Sequence, residues 1–318
     1  MYKNICIFAA GKIRREIKLY RENRMTYDHV FMKAYGKINL ALDVVGTRED
    51  GYHLVDMIMQ TVNLYDKLEF KKTETGEINI SSNIPYLSVN KDNIIYKAVR
   101  LIFDEFDIKD GLDIKLEKKI PVSAGMAGGS TDAATTLMAL NKMYDLGINK
   151  NALMERGLKL GADVPYCILR GTARATGIGE EIKRIKKLPQ CNILMAKPKV
   201  NISTGDIYKE LDAIDIEKHP DVDQLIKYIE NGDVKGMAEN MGNVLELVTI
   251  PKCPVINDYK EIMKKHNAAG TMMSGSGPTV FGIFEGREDA FDAKREIRSL
   301  NNCSVAYVTD LYDPRMEK

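Results

Sequence analysis

The chain has 318 residues, of which 44% are hydrophobic and 29% charged, a composition typical of a soluble globular protein. Its 46 basic and 45 acidic side chains leave a net charge of +1. This balance argues against a nucleic acid or an anionic membrane as the main partner. The sequence contains no apolar run long enough for a transmembrane helix.

The cysteines and the N-terminus indicate where the protein works. The five cysteines are scattered and form no CxxC pair, so neither a zinc site nor a disulfide framework is expected and a cytoplasmic location is predicted. The first 24 residues carry seven Lys or Arg and two Glu, and a short apolar patch precedes most of these charges. A signal peptide has the opposite order. We interpret residues 1–30 as a basic N-terminal extension, consistent with translation from a start codon upstream of Met25 or Met32.

The first half of the chain alternates between strand and helix patterns. From Phe31, KAYGKINLALDVVG predicts a strand, REDGYH a turn, and MIMQTVNLYDKLEFKK a second and third strand of a largely antiparallel sheet. Asp92 is predicted to cap an amphipathic helix over NIIYKAVRLIFDEF, in which Ile95, Val99, Ile102 and Phe106 recur at helical spacing. GLDIKLEKKIP alternates as a strand that stops at Pro121, and STDAATTLMALNKMYDLG predicts a helix closed by Gly147.

The second half begins with a helix predicted over NKNALMERGLKLGADVP and a hairpin over YCILRGTARATGIGEEIKRI. Near Leu188 and Pro189 the chain is predicted to change domain. A strand over CNILMAKP, a short helix over STGDIYKELD and a helical region over DVDQLIKYIENGDVKGMAENMGNVLEL follow. The last third predicts a glycine turn and strand (MMSGSGPTVFGIFE), a helix (EDAFDAKREIRSL) and a closing strand (NCSVAYVTDLY). We therefore predict a two-domain α+β protein with domains over residues 31–188 and 189–318.

A glycine-rich loop, 120-IPVSAGMAGGSTDAATTLMALN-141, lies between a predicted strand and a predicted helix. Such a loop directs backbone N–H groups and the positive end of the helix dipole towards one point, which favours a phosphate. The Walker pattern fails because Ser130 follows Gly129, and the dinucleotide pattern GxGxxG fails because the glycines are at positions 125, 128 and 129. The alternative is that the glycines only let the helix pack closely on the sheet.

Four motifs, in order, resemble those of the GHMP small-molecule kinases. PVSAGMAGGSTDAA is similar to the second motif of the family, Pro-x-x-x-Gly-Leu-Gly-(Gly)-Ser-Ser, with Met126, Ala127 and Thr131 as departures. AYGKINLALDVVGTREDGYH resembles the first motif, LGADVPYCI the Gly-Ala-Asp-Val-Pro segment, and MMSGSGPTVFGIF the glycine-rich third motif. The resemblance extends from about Phe31 to Leu311.

The resemblance implies a GHMP kinase fold with an N-terminal, ATP-binding domain like domain 2 of ribosomal protein S5 and a ferredoxin-like C-terminal domain. Within the family, it is strongest to the branch that uses ATP and Mg²⁺ to phosphorylate the 2-hydroxyl of 4-diphosphocytidyl-2-C-methyl-D-erythritol in the non-mevalonate isoprenoid pathway. The implied partner is therefore a small cytidine diphosphate-linked substrate, with no nucleic acid or membrane partner and a monomer or homodimer as the assembly.

Two other functions stay open on the same fold. One is another GHMP kinase that acts on mevalonate, homoserine or galactose, which the DGYH and GADVP segments oppose. The other is a noncatalytic nucleotide-binding regulator. The presence of both Lys37 and Asp163 opposes this reading, because a sensor does not need a base beside a basic group.

The resemblance assigns catalysis to Lys37 and Asp163. A carboxylate beside an alcohol accepts its proton as the new bond forms, and a lysine stabilises charge on the transferred phosphoryl group. Each residue has a structural alternative: Asp163 could cap a helix or lie on the surface, and Lys37 could extend to water.

The remaining candidate residues divide between ATP and substrate. ATP is expected at the glycine loop and at Asn93, which alternatively only begins a helix. The loop residues are Pro121, Val122, Ser123, Ala124, Gly125, Met126, Ala127, Gly128, Gly129, Ser130 and Thr131, and Ser130 is also the candidate Mg²⁺ ligand. The expected substrate-binding residues are Asn39, Tyr52, His53, Tyr208, Gly275 and Gly277; an aromatic face and an imidazole suit a cytosine base.

Overall fold

The computed structural model describes residues 26–316 of the chain. The predictions made for residues 1–25 lie outside the described residues. The first strand begins at His29, so the sheet includes the last two residues of the segment 1–30 that the sequence assigned to an extension. Across the described residues, no helix combines the length and the apolar character needed to cross a membrane.

The N-terminal half is built on a sheet whose centre is a long antiparallel pair, β1 and β2. Its elements are β1 (His29–Thr47), β2 (His53–Thr73), β3 (Ile78–Ser82), α1 (Ile94–Phe106), β4 (Gly111–Glu117), α2 (Gly128–Met143), α3 (Lys150–Leu158), α4 (Val164–Leu169), β5 (Thr172–Thr176) and β6 (Glu181–Arg184). One end of β2 pairs with β4 and the other with β5, and β3 pairs with β4 in parallel. This sheet confirms the largely antiparallel arrangement expected for the α+β fold.

Helices α1 and α2 pack together over this sheet. The apolar stripe of α1 predicted from Ile95, Val99 and Ile102 is buried, and it packs in one core with Phe70 of β2 and Ile114 of β4. Burial of such side chains contributes roughly 1.5–3 kcal/mol each. The core therefore holds the start of α2, and with it the glycine loop, at a fixed place on the sheet.

The C-terminal half contains a four-stranded antiparallel sheet in the order β11-β7-β10-β9. Its elements are β7 (Asn192–Pro198), α5 (Thr204–Leu211), α6 (Val222–Asn231), α7 (Val234–Glu239), β8 (Gly242–Asn243), α8 (Glu246–Lys252), α9 (Val255–Lys265), β9 (Gly270–Met273), β10 (Val280–Phe284), α10 (Arg287–Ser299) and β11 (Cys303–Asp310). Along the chain, this sheet and its helices follow one another as a strand, helices, two strands, a helix and a strand. With the strand order given above, this is the ferredoxin-like arrangement that was expected.

Three local predictions were wrong. MIMQTVNLYDKLEFKK forms part of one 21-residue strand instead of two, because Asp66 is fully buried within it and bonded, so no turn interrupts the strand. The side chain that caps α1 is Asn93, whose Oδ1 accepts from the Ile95 N–H, and not Asp92. The segment YCIL belongs to the helix α4, and only the residues from Thr172 form the expected hairpin.

The two halves are joined by backbone pairing. The short strand β8 pairs in parallel with β1, through Ala41 and Leu42. Near the C-terminus, Leu311 bridges to Val62, and the Tyr312 N–H donates to the Thr61 carbonyl at 2.9 Å. Both halves therefore contribute residues to the cleft that lies between them.

Candidate active site

A cleft of about 680 Å³ opens between the two halves. It is lined by residues from β1, the β1–β2 turn, the start of β2, the start of α2, the α3–α4 turn, the β5–β6 turn, α5 with the residue after it, and the loop after β9. These residues are Lys37, Leu42, Gly51, Tyr52, His53, Val55, Met57, Ser130, Ala162, Asp163, Ile178, Thr204, Gly205, Tyr208, Lys209, Asp212, Gly275 and Ser276. The cleft brings together seven of the candidate residues proposed from the sequence: Lys37, Asp163, Ser130, Tyr52, His53, Tyr208 and Gly275.

Lys37 lies in the wall of this cleft as a buried cation. The residue is only 5% exposed, and its Nζ donates to the Asn39 Oδ1 at 2.7 Å and lies 3.9 Å from the Asp163 Oδ2. It therefore does not extend to water, which was the structural alternative. Asn39 is fully buried and does not line the cleft, and its amide oxygen accepts the hydrogen bond from Lys37.

Asp163 is the residue that begins α4, but its carboxylate makes no capping hydrogen bond. By contrast, the carboxylates of Asp221 and Asp233 cap α6 and α7 by accepting from the Gln224 and Gly236 N–H groups. The Asp163 side chain is 35% exposed. Its carboxylate therefore faces the cleft beside Lys37 and is not used to hold the helix.

The glycine loop is held against the strand that carries Lys37, because the Lys37 N–H donates to the Met126 carbonyl at 3.2 Å. Ala127 has the left-handed backbone conformation (φ 54°, ψ 33°). Glycine, which the family motif has at this position, adopts that conformation without strain, whereas an alanine there is strained. The alanine methyl group is accommodated at that conformation.

The three loop glycines have different neighbours. A Cβ at Gly125 would lie 2.0 Å from the Ser274 carbonyl oxygen, and one at Gly128 would lie 3.1 Å from the Ile120 side chain. A Cβ at Gly129 would meet no atom closer than the Ile94 Cγ2 at 3.8 Å. Packing within the protein therefore explains Gly125 and Gly128, whereas Gly129 is a glycine on an exposed, open surface.

The loop side chains do not all face the cleft. Ala124, Met126 and Thr131 are buried in the protein, so only their backbone is available to a ligand. Ser130 lines the cleft, and among residues 26–316 its hydroxyl has no hydrogen-bonding partner. Pro121, Val122 and Ser123 lie before the helix and outside the cleft lining.

A buried ionic cluster lies beneath the loop. The Lys118 Nζ donates to the Asp66 Oδ2 at 2.5 Å and to the Asp132 Oδ2 at 2.8 Å. Asp66 also accepts from the Lys119 and Ile120 N–H groups, where the chain enters the loop. Burial raises the pKa of Asp132, and although burial lowers the pKa of Lys118, the two carboxylates outweigh it and raise that pKa.

The far end of the cleft contains aromatic rings. Tyr52 is 59% exposed, whereas the His53 side chain is only 15% exposed. The Tyr208 ring, from α5, lies 4.9 Å from the His53 ring at 40°. Burial, with a further contribution from the charge of Asp163, raises the pKa of Tyr208, so its hydroxyl stays neutral. His53 Nε2 lies 2.7 Å from the Asp212 Oδ1.

The glycine turn after β9 closes the cleft on one side. The Ser274 hydroxyl donates to the Gly125 carbonyl at 3.0 Å, and Asn243 Nδ2 donates to the Gly275 carbonyl at 2.8 Å. Gly275 lines the cleft, but Gly277 does not; its N–H donates to the Ser274 carbonyl within the turn. The turn and the glycine loop therefore support each other.

Asn93 also lies outside the cleft lining. Its Oδ1 caps α1, and its Nδ2 donates to the Ser88 carbonyl at 2.5 Å. Both ends of the amide are thus engaged in holding the helix start.

Several residues of the cleft were not among the candidates proposed from the sequence. Thr204, Lys209, Asp212 and Ser276 lie in its wall, and the Thr204 and Ser276 hydroxyls are 2.7 Å apart. Of these, only Ser276 lies inside a glycine-rich motif that could have indicated it.

Comparison with known proteins shows the family to which the chain belongs. The family models of the GHMP kinases N terminal domain and GHMP kinases C terminal match residues 93–171 and 225–303. The 4-diphosphocytidyl-2-C-methyl-D-erythritol kinase of Lachnospira eligens is 47% identical over 90% of this chain and 100% of its own length. That of Clostridium novyi is 50% identical over 80% of this chain and 91% of its own. The chain belongs to this branch of the GHMP kinase family.

Solved structures agree with this membership. The crystal structure of a 4-(cytidine 5'-diphospho)-2C-methyl-D-erythritol kinase matches with a TM-score of 0.75 and 29% identity over 89% of this chain and 100% of its own. A homoserine kinase from Cytophaga hutchinsonii matches with a TM-score of 0.71 at 17% identity, over 90% of this chain and 96% of its own, which supports the fold alone. The chain is therefore an ATP-dependent small-molecule kinase with the expected two-domain α+β fold.

Proposed function

We propose that this chain transfers the γ-phosphoryl group of ATP to the 2-hydroxyl of 4-diphosphocytidyl-2-C-methyl-D-erythritol. The observation that carries this proposal is that one cleft contains both the Lys37–Asp163 pair and the aromatic group of Tyr52, His53 and Tyr208. The first suits phosphoryl transfer to an alcohol, and the second suits a nucleobase. The curated relatives with this activity in their names support the same substrate.

In this proposal Asp163 accepts the proton of the substrate hydroxyl. Its carboxylate is partly exposed to the cleft and free of any capping bond, which leaves it available to the hydroxyl. Lys37, held by Asn39, stabilises the ionised Asp163 and the charge on the transferred phosphoryl group. Such a base contributes roughly 10²–10⁴-fold to a rate.

The glycine loop is proposed to hold the phosphates of ATP through backbone N–H groups and the start of α2. The open surface above Gly129 supports this, since no protein atom needs the space that a side chain would fill there. Asn93 is proposed to lie near the adenine through its position at the start of α1, not through a free amide.

Magnesium is the ion expected with these phosphates, and the cleft residues fit it. Among the described residues no cluster of three or more His, Cys, Asp or Glu side chains is suited to hold a metal. Magnesium, however, is usually held by one or two protein oxygens together with substrate phosphates. The Ser130 hydroxyl lines the cleft, has no hydrogen-bonding partner among the described residues and is the group that would hold it. The ion would neutralise phosphate charge.

A substrate panel tests the proposed acceptor. Initial rates of ADP formation are measured with the cytidyl substrate, mevalonate, homoserine and galactose, each with and without magnesium. We expect turnover that requires both the cytidyl substrate and magnesium. Turnover with mevalonate, homoserine or galactose and none with the cytidyl compound would refute the proposed acceptor, and no turnover with any alcohol would favour a noncatalytic regulator.

The role of Asp163 is tested by Asp163→Asn, with Asp233→Asn as the matched control. Asn is close to isosteric with Asp but cannot accept the proton. Asp233 is an exposed helix cap away from the cleft, whose amide variant can still accept the Gly236 N–H. We expect turnover of the Asp163 variant to fall by about 10² or more with ATP binding preserved, and the control to match the wild type. An Asp163 variant with full activity would remove the carboxylate from the mechanism.

A further inference from the structure

A hydrogen bond between Asp212 and His53 joins the two halves of the molecule at the aromatic end of the cleft. His53 begins β2, and Asp212, the residue directly after α5, lies 159 positions later in the chain. The Nε2–Oδ1 distance is 2.7 Å. An ionised carboxylate only accepts hydrogen bonds, so the Nε2 atom carries the proton and donates it.

We propose that Asp212 is a specificity-determining residue: by holding the proton of His53 on Nε2, it makes Nδ1 an acceptor that selects the 4-amino group of cytosine. This inference rests on the proposed function, in which the cleft takes a cytidine nucleotide. Asp212 acts through His53 and is thus a positioning residue, not a catalytic one.

The surroundings of His53 support this reading. In a neutral imidazole with its proton on Nε2, the lone pair is on Nδ1. Among the described residues Nδ1 has no hydrogen-bonding partner, and the ring lines the cleft. The Tyr208 ring lies 4.9 Å from it. The ring is therefore held by a bond to Asp212 and by contact with Tyr208, and its free nitrogen remains available.

The selectivity follows from the edges of the two pyrimidines. Cytosine has an amino group at position 4 that donates, whereas uracil has a carbonyl oxygen there that accepts. An acceptor nitrogen at Nδ1 accepts a hydrogen bond from the amino group of cytosine, but it faces the lone pairs of the uracil carbonyl oxygen and is repelled by them. Without Asp212 the proton of His53 is free to move to Nδ1, which would then donate to uracil, so the preference would disappear.

The test measures binding of cytidine diphosphate and uridine diphosphate by calorimetry. The variants are Asp212→Ala and the control Glu210→Ala. Glu210 lies on α5 and forms an exposed ion pair with Lys252 at 2.8 Å, but it does not line the cleft. We expect the wild type and the Glu210 variant to prefer cytidine diphosphate by about tenfold or more, and the Asp212 variant to lose most of that preference.

A double-mutant cycle separates this role from simple support of the fold. In a His53→Phe background, which keeps a ring but no nitrogen, Asp212→Ala should have no further effect on the preference. The Michaelis constant for ATP should stay unchanged in all variants. An Asp212 variant that keeps the wild-type preference, or that has the same effect with and without His53, would overturn the inference.

Turnover of the full cytidyl substrate, measured alongside, keeps the two proposals distinct. A wild type that phosphorylates this substrate but whose nucleotide preference does not depend on Asp212 refutes the inference alone. A preference that Asp212 controls, in a protein that does not phosphorylate the substrate, refutes the proposed function alone.

Discussion

Replacement of Gly125 by alanine should separate the glycine loop from the glycine turn that supports it. Gly125 has a φ of +70°, and an added Cβ would lie 2.0 Å from the Ser274 carbonyl oxygen and 3.0 Å from the Gly277 nitrogen. These are backbone atoms, so no side chain can rotate to make room. The Ser274 hydroxyl also donates a hydrogen bond to the Gly125 carbonyl. This bond must break or lengthen if the added methyl group pushes the two segments apart.

The magnitude has two parts. A side chain in the left-handed conformation costs about 1–2 kcal/mol, and inserting an atom into a packed site costs about 1–3 kcal/mol. We expect Gly125→Ala to reduce the free energy of unfolding by about 2–5 kcal/mol, measured by urea titration at neutral pH. The value of kcat should also fall, because the loop and the turn both border the cleft.

Gly129→Ala is the matched control. Its Cβ would meet no atom closer than 3.8 Å, and the position is helical, so stability should stay within about 1 kcal/mol of the wild type. Its ATP affinity should nevertheless fall, because the new methyl group occupies the surface where a phosphate approaches. A Gly125 variant as stable as the wild type would refute the contact argument, and unchanged ATP affinity in the Gly129 variant would refute the proposed phosphate position.

Two further substitutions probe buried charge. Lys118→Met should reduce stability by about 3–5 kcal/mol, because it leaves Asp66 and Asp132 without their cation; a loss below about 1 kcal/mol in urea titration would contradict a buried ion cluster. Asp313 is buried, and although burial alone raises its pKa, the hydrogen bonds and charge of Arg315 lower it below the usual value. Its contribution is therefore present above the unfolded pKa of about 3.9 and is lost as the pH falls through the lower folded value. The stability of Asp313→Asn should accordingly depend less on pH in that acid range, and an equally steep dependence would contradict the assignment.

The parts of the fold that follow from local patterns could be predicted from the sequence. The apolar spacing of Ile95, Val99 and Ile102 predicted α1, and alternation predicted β4. The segment YCIL could not be assigned in this way, because a short apolar run fits a buried helix as well as a strand. The burial of Asp66 within β2 depends on Lys118, 52 positions later, which no local pattern indicates.

The candidate site divides in the same manner. Lys37, Asp163 and Ser130 are each in a motif with its own spacing, and the resemblance placed them together before the structure did. Asp212 is in no motif, and only the packing of α5 against the β1–β2 turn brings it to His53. The contact between Gly125 and Ser274 likewise joins two glycine motifs that the sequence separates by 149 positions.

The central claim is that the cleft directs the γ-phosphoryl group of ATP to one hydroxyl of a cytidine diphosphate-linked substrate. Phosphorus NMR of the products from ATP, magnesium and 4-diphosphocytidyl-2-C-methyl-D-erythritol tests it directly. The account predicts a new phosphomonoester resonance in equal amount with ADP. Phosphorus–carbon coupling should connect this phosphoryl group to C2 of the methylerythritol. ADP accompanied only by inorganic phosphate, or a phosphoryl group on another hydroxyl, would contradict it.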